Sequence, residues 1–135
     1  MKRGTGRYGS RRGSGMIEGA LCFSAFLMLT FGVMEFALTI YAYDFCAYAA
    51  QDAARWASAR GANYPAPVSA SDVRNYVVNQ AIGLPSVTVA TTWTPNNSPG
   101  STVGVTVSYN VVPLTGLALH SKLQLSSSAV MAITN

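Results

Sequence analysis

Charge is what this sequence has least of. Only 10% of its 135 residues are charged, against about a quarter in an ordinary soluble domain. The deficit is local: residues 19–34 carry no charge at all, whereas the chain beyond Tyr64 is polar in the usual way. Histidine is nearly missing too. His120 stands alone and has no imidazole partner for a metal site or a proton relay. The five acids are scattered and form no general acid–base dyad. There is no phosphate loop, nucleophile–base pairing or metal-ligand spacing, and the serines at 126–128 lie within strand-like alternation. The sequence therefore predicts no enzyme, no cofactor, no metal and no small-molecule substrate. The two cysteines, Cys22 and Cys46, lie 24 positions apart on what reads as one helix. That is about 36 Å along a helix, against the roughly 4.4–6.8 Å a disulfide needs, so they cannot bridge each other within one chain.

Negative charge is missing from the whole start of the chain. Lys2, Arg3, Arg7, Arg11 and Arg12 supply five of the nine basic residues before any acid occurs, and from Gly13 onward four basic residues face five acidic ones. The body is thus nearly neutral, with no basic patch interleaved with aromatics, which argues against a nucleic-acid partner. A cationic stretch directly before a hydrophobic run instead fixes membrane topology, with Arg11 and Arg12 holding the N-terminus in the cytoplasm. Residues 1–15 are Gly, Ser and Arg without apolar periodicity and are expected to be disordered.

What the chain does have is one long apolar run. Met16 to Tyr43 is nearly all hydrophobic over 28 residues, and about 20 suffice to cross a bilayer as a helix. Glu18 and Glu35 interrupt it 17 residues apart. With Glu18 at the inner boundary, Glu35 falls near the outer one. The strictly apolar stretch between them, about 24 Å, is short for a hydrocarbon layer of about 30 Å, so one acid is expected inside lipid. Tyr41 and Tyr43 follow as an interfacial pair. The helix is expected to continue through the alanine-rich residues 44–60 and to end at Gly61 as its C′ residue. Asp52 and Arg55 have i, i+3 spacing, Trp56 and Arg60 are i, i+4 neighbours, and Ala49, Ala53 and Ala57 form a smooth ridge.

Beyond a Pro-containing loop, Ser69 and Asp72 have capping-box spacing, and a short helix is expected over 70–82, with Gly83 ending it and Val73, Tyr76, Val77 and Ala81 on its buried face. The period then changes to two. Strands are expected at about 86–94, 102–112 and 122–134, the first two joined by the turn-rich PNNSPGS. The fold class is therefore α+β: a long N-terminal transmembrane helix continuing into a small extracytoplasmic domain with a short helix and a three-stranded antiparallel sheet. The division is a basic leader at 1–13, the membrane helix at 14–43 and an extracytoplasmic domain at 44–135.

The string R-R-G-S-G-M-I-E places Gly13 before Ser14, with Glu18 five residues past the glycine. A basic leader, a glycine and a glutamate at plus five, at the mouth of an apolar helix, resemble the cleavage signal of type IV prepilins. Phe31, Gly32, Glu35 and Phe36, then Ala49, Ala50, Ala53, Ala54, Arg55 and Ala57, and more loosely the stretch from Val105 to Met131, are similar to the TadE-like minor pilins of the tight-adherence (Tad/Flp) pilus system. Gly19 is a departure, since phenylalanine is frequent there. The resemblance implies cleavage after Gly13 by a prepilin peptidase and partnership with other pilins or pseudopilins and Tad assembly components. It also implies a bacterial inner-membrane location with the C-terminal domain in the periplasm. In pilins the acid equivalent to Glu18 is thought to meet the new N-terminal amine of a neighbouring subunit, here that of Ser14. Glu35 is either a second pairing acid or an interfacial residue. Gly15 and Gly19 permit close helix approach, or are small residues near a membrane surface. Two other readings stand beside the pilin one: an uncleaved single-pass periplasmic scaffold, and a secreted protein cut after Ala47-Tyr48-Ala49 to start at Ala50, for which the apolar run is far longer than a usual signal-peptide core.

Overall fold

The computed structural model of the chain describes residues 11–113 and 123–134, with side chains from Gly13 onward. Most of the basic leader, His120 and the Leu114–Leu117 part of the C-terminal resemblance lie outside the described residues. So do the side chains of Arg11 and Arg12. The order of elements is α1 (Arg11–Ser58), α2 (Ala70–Gln80), β1 (Thr88–Thr94), β2 (Thr102–Val111) and β3 (Leu123–Ala132), the α+β arrangement expected. The chain divides into two compact units, Met1–Phe36 and Ala37–Asn135.

The described part of the first unit is helical throughout, and every side chain in it is exposed or half-exposed. Large apolar groups point outward on all sides, among them Met16, Ile17, Leu21, Phe23, Phe26 and Leu29. A helix that is hydrophobic all round belongs in a core or in lipid. The chain is already helical at Arg11, the first described residue and ahead of the expected start at Met16, so residues 11–15 are helical where disorder was expected. Nucleation is the costly step, and once the apolar run is helical each further turn adds hydrogen bonds at little cost even through glycines.

In the second unit α1 acquires an inside. Ala42, Cys46, Ala49, Ala50, Ala53, Ala54 and Ala57 are fully buried and recur at three- and four-residue spacing, the stripe of a helix packed on one side. The expected alanine ridge is thus the helix's contribution to the core, shared with Val73, Val77, Leu84, Val87, Val103, Val105, Val107 and Ile133. The end of α1 differs from expectation. Among the described residues the left-handed glycines are Gly83 and Gly100, not Gly61. The last turn instead tightens through the Arg60 N–H on the Ala57 carbonyl (3.0 Å), and the Arg60 carbonyl accepts from Val68 (3.1 Å). A tightened turn of this kind satisfies terminal carbonyls without a left-handed residue.

The sheet has the order β1-β2-β3, antiparallel throughout, with Thr94 opposite Thr102 and Thr102 opposite Ala132. Alternation decides its two faces. Val103, Val105 and Val107 of the central strand point into the core and are fully buried, each contributing about 1.5–3 kcal/mol by leaving water. The opposite face carries small uncharged groups, including Thr88, Thr92, Thr106, Ser108, Ser126 and Ser128, and Thr106 and Ser128 share a hydrogen bond of 2.8 Å across strands. Gly104 sits on this face, where a Cβ would meet Thr92 Oγ1 at 3.0 Å.

Candidate functional site

The residues singled out for processing and assembly all lie on the described helix. Gly13, Ser14, Gly15, Glu18 and Gly19 are exposed. An added Cβ at Gly13, Gly15 or Gly19 would meet nothing within 4 Å. None of these glycines therefore fills a gap among the described residues, and Gly15 and Gly19, four apart, share one open side of the helix. Glu35 is half-buried and is engaged within the chain.

Two hydroxyls in the apolar stretch are satisfied by the helix itself. Ser24 Oγ donates to the Ala20 carbonyl and Thr30 Oγ1 to the Phe26 carbonyl, both at 2.8 Å. In lipid no water is available to satisfy a hydroxyl, and back-bonding to the preceding turn removes that penalty. By length and composition Gly13–Ser58 contains a stretch apolar enough to cross a membrane, and none of its most apolar window is buried within the protein. Cys22 is exposed and Cys46 buried, both as free thiols; burial pushes the Cys46 thiol above its ordinary value.

Further along α1, a cluster of side chains fixes α2 to the helix. The Tyr76 hydroxyl donates to Asp52 Oδ2 at 2.8 Å, and Gln80 Nε2 donates to the same oxygen at 3.3 Å. The Tyr76 ring stacks on Trp56 with centroids 4.7 Å apart, and the Arg60 guanidinium lies 4.6 Å over the other partner in that stack, Trp56. The expected neighbourhood of Trp56 and Arg60 is present, whereas the carboxylate of Asp52 is taken by Tyr76 and Gln80 rather than by Arg55. At the other end of the unit the Tyr41 hydroxyl donates to the Ile82 carbonyl at 3.1 Å. Neither long-range tie was read from the sequence, since nothing local marks a tyrosine for a partner forty residues away.

Among the described residues no group of three or more His, Cys, Asp or Glu could hold a metal ion. A cleft lined by Arg74, Val78, Ala81 and Gly83–Val87 is open to the surface, and neither histidine nor acid lines it.

These features define a class: an α+β chain whose N-terminal helix suits a membrane anchor and whose compact C-terminal unit is packed around the far half of that helix. Residues 13–55 match the family model of TadE-like proteins. Over that segment the chain is similar to TadE-like proteins, and the motifs at Gly13, Glu18, Phe31–Phe36 and Ala49–Arg55 fall within it. No curated protein and no solved structure matches the chain.

Proposed function

We propose that this chain is a minor pilin or pseudopilin-type structural subunit needed to assemble a Tad/Flp-type pilus. It is anchored in the bacterial inner membrane by α1, with its N-terminus cytoplasmic and residues 44–135 periplasmic, and a prepilin peptidase matures it by cutting after Gly13. The observation that carries the reading is the TadE-like match beginning at residue 13, the glycine of the expected cleavage signal. Cleavage removes five basic residues and creates an amine at Ser14, four positions before Glu18. The acid is costly in lipid alone and much less so beside that cation on a neighbouring subunit. Other pilins or pseudopilins and the Tad assembly components are the partners, with Gly15 and Gly19 giving a smooth approach.

One observation favours the alternative, an uncleaved single-pass scaffold: the Gly13–Ser14 bond lies inside α1, which is already helical at Arg11. A peptidase that takes an extended substrate would have to unwind this turn. Gly13 and Gly15 ease that opening, because each glycine lowers helix stability by about 1 kcal/mol relative to alanine.

The test expresses the full chain in membranes with and without a prepilin peptidase and reads intact mass and N-terminal peptide. The expected result is a peptidase-dependent start at Ser14, abolished by Gly13→Ala. An intact N-terminus beside an active peptidase would overturn maturation and leave the scaffold as the better reading.

A further inference from the structure

The last turn of α2 and the turn that follows it carry exposed apolar side chains. Ile82 is 79% exposed and Val78, four residues earlier, 44%. The place of this turn along α1 is fixed by two observations. The Tyr41 hydroxyl donates to the Ile82 carbonyl, and Ala42, the first buried position of α1 among the described residues, shares a core with Leu84 and Val87. On the N-terminal side of Ala42 the helix is bare, with Leu38, Ile40 and Tyr41 exposed. The segment from Ile82 to Val87 therefore forms the rim of the Ala37–Asn135 unit at the level where the apolar run of the helix ends.

That level coincides with a membrane surface. About twenty apolar residues span the hydrocarbon, and twenty counted from Gly19 end at Leu38. Tyr41 and Tyr43 then fall in the headgroup zone, where tyrosine concentrates. Side chains on a helix lean toward its N-terminus. The Tyr41 hydroxyl, and with it the Ile82 carbonyl, is thus held at or on the lipid side of the Tyr41 backbone.

We propose that Ile82 enters the headgroup–acyl boundary of the bilayer that α1 crosses, giving the second unit its own contact with the membrane surface. The inference rests on the membrane-spanning reading of α1. Two features favour lipid over a second copy of the chain: the Ile82 carbonyl is tied to Tyr41 in the expected interfacial tyrosine pair, and one exposed apolar side chain is far below the roughly 800 Å² per partner of a stable protein interface.

The experiment uses the full chain with Cys22→Ser and Ile82→Cys, labelled with an environment-sensitive nitrobenzoxadiazole probe. Cys46 is fully buried and does not compete for label. The protein is reconstituted in phosphatidylethanolamine–phosphatidylglycerol vesicles containing lipids spin-labelled near the headgroup, and parallel probes sit at Phe26→Cys and at Ser126→Cys, both exposed positions. The expected result is quenching at position 82 several-fold stronger than at 126. Quenching at 82 no stronger than at 126, with the span probe at 26 in lipid, would overturn the inference and leave the anchor intact. A blue-shifted emission at 82 without lipid quenching would overturn it in favour of a protein neighbour. A probe at 26 outside lipid would sink the spanning reading and this inference with it.

Discussion

Tyr76 shows how much one side chain can hold in a unit of this size. Its ring stacks on Trp56 while its hydroxyl bonds Asp52, so it ties α2 to α1 by both an apolar and a polar contact. Tyr76→Phe keeps the stack and loses the hydrogen bond, and is expected to cost about 1 kcal/mol, read as a lowered midpoint in denaturant. The bond to Asp52 holds the phenol above its ordinary value of 10.0, with burial adding to the effect. A group with a raised folded pKa stabilises the fold fully below its unfolded value, and that stability is lost as pH rises through the folded one. The wild-type chain is therefore expected to weaken above about pH 10 by an increment that Tyr76→Phe lacks. Part of this was legible in the sequence. Spacing placed Tyr76 on the buried face of its helix, with Val73 and Val77. Its partner was not legible, because Asp52 has an i, i+3 neighbour in Arg55 and sequence spacing sees only local candidates. A surface ion pair contributes about 0–1 kcal/mol, and a half-buried carboxylate gains more from a phenol and an amide brought to it by the fold.

Among the elements, α2 follows its sequence signals most closely. Ser69 accepts from the Asp72 N–H, and the Asp72 carboxylate accepts from the Ser69 N–H at 3.0 Å, so the reciprocal box forms with aspartate in the usual place of glutamate. Ser69→Ala is expected to cost about 1 kcal/mol, measured by thermal unfolding. The hydroxyl and backbone N–H of Ser69 together hold the Asp72 carboxyl below its ordinary value. Its contribution is present above the unfolded pKa and lost as pH falls through the lowered one. Hydrogen exchange at Asp72 and Val73 is thus expected to accelerate, relative to other helical amides, below the usual carboxylate range. The far end of the helix was harder to read. It was expected to reach residue 82 with Gly83 ending it, yet α2 stops at Gln80, where the Ala81 N–H turns back to the Val78 carbonyl. Gly83 does take a left-handed conformation, φ 75°, but in the turn that leads to Pro85. Strand limits were expected within two residues of where they fall, since alternation is a strong signal and the turn residues of PNNSPGS bound β1 and β2 on either side.

For the molecule as a whole, the apolar run, the alanine ridge and the period-two strands made the architecture legible, because each is a periodic pattern imposed by a solvent or a core. The site was less so. The roles proposed for Gly13, Glu18 and Glu35 involve partners outside the chain, and a single sequence gives their positions without the surfaces they would meet. The second unit has a core of its own, and a fragment comprising residues 37–135 is expected to fold without the first. Its thermal unfolding, followed by near-ultraviolet circular dichroism, should be cooperative, and loss of that transition would show that the unit depends on the preceding helix. Within the same fragment Val105→Ala, at a fully buried position, is expected to remove about 2–3 kcal/mol through lost burial and the cavity left behind. Ala53→Leu is expected to destabilise by about 1–3 kcal/mol by overfilling the seam.

That seam has a mechanical consequence. From Ala42 to Ala57 the helix meets the core along a line of side chains no longer than a cysteine, and beyond its end the Thr134 N–H clasps the Ser58 carbonyl at 3.1 Å. A pull directed along the helix loads this line in shear, so its many short-range contacts share the force and fail together instead of peeling apart in turn. A subunit drawn by its helix, as a filament under tension would draw it, meets that load along the direction in which the seam is strongest.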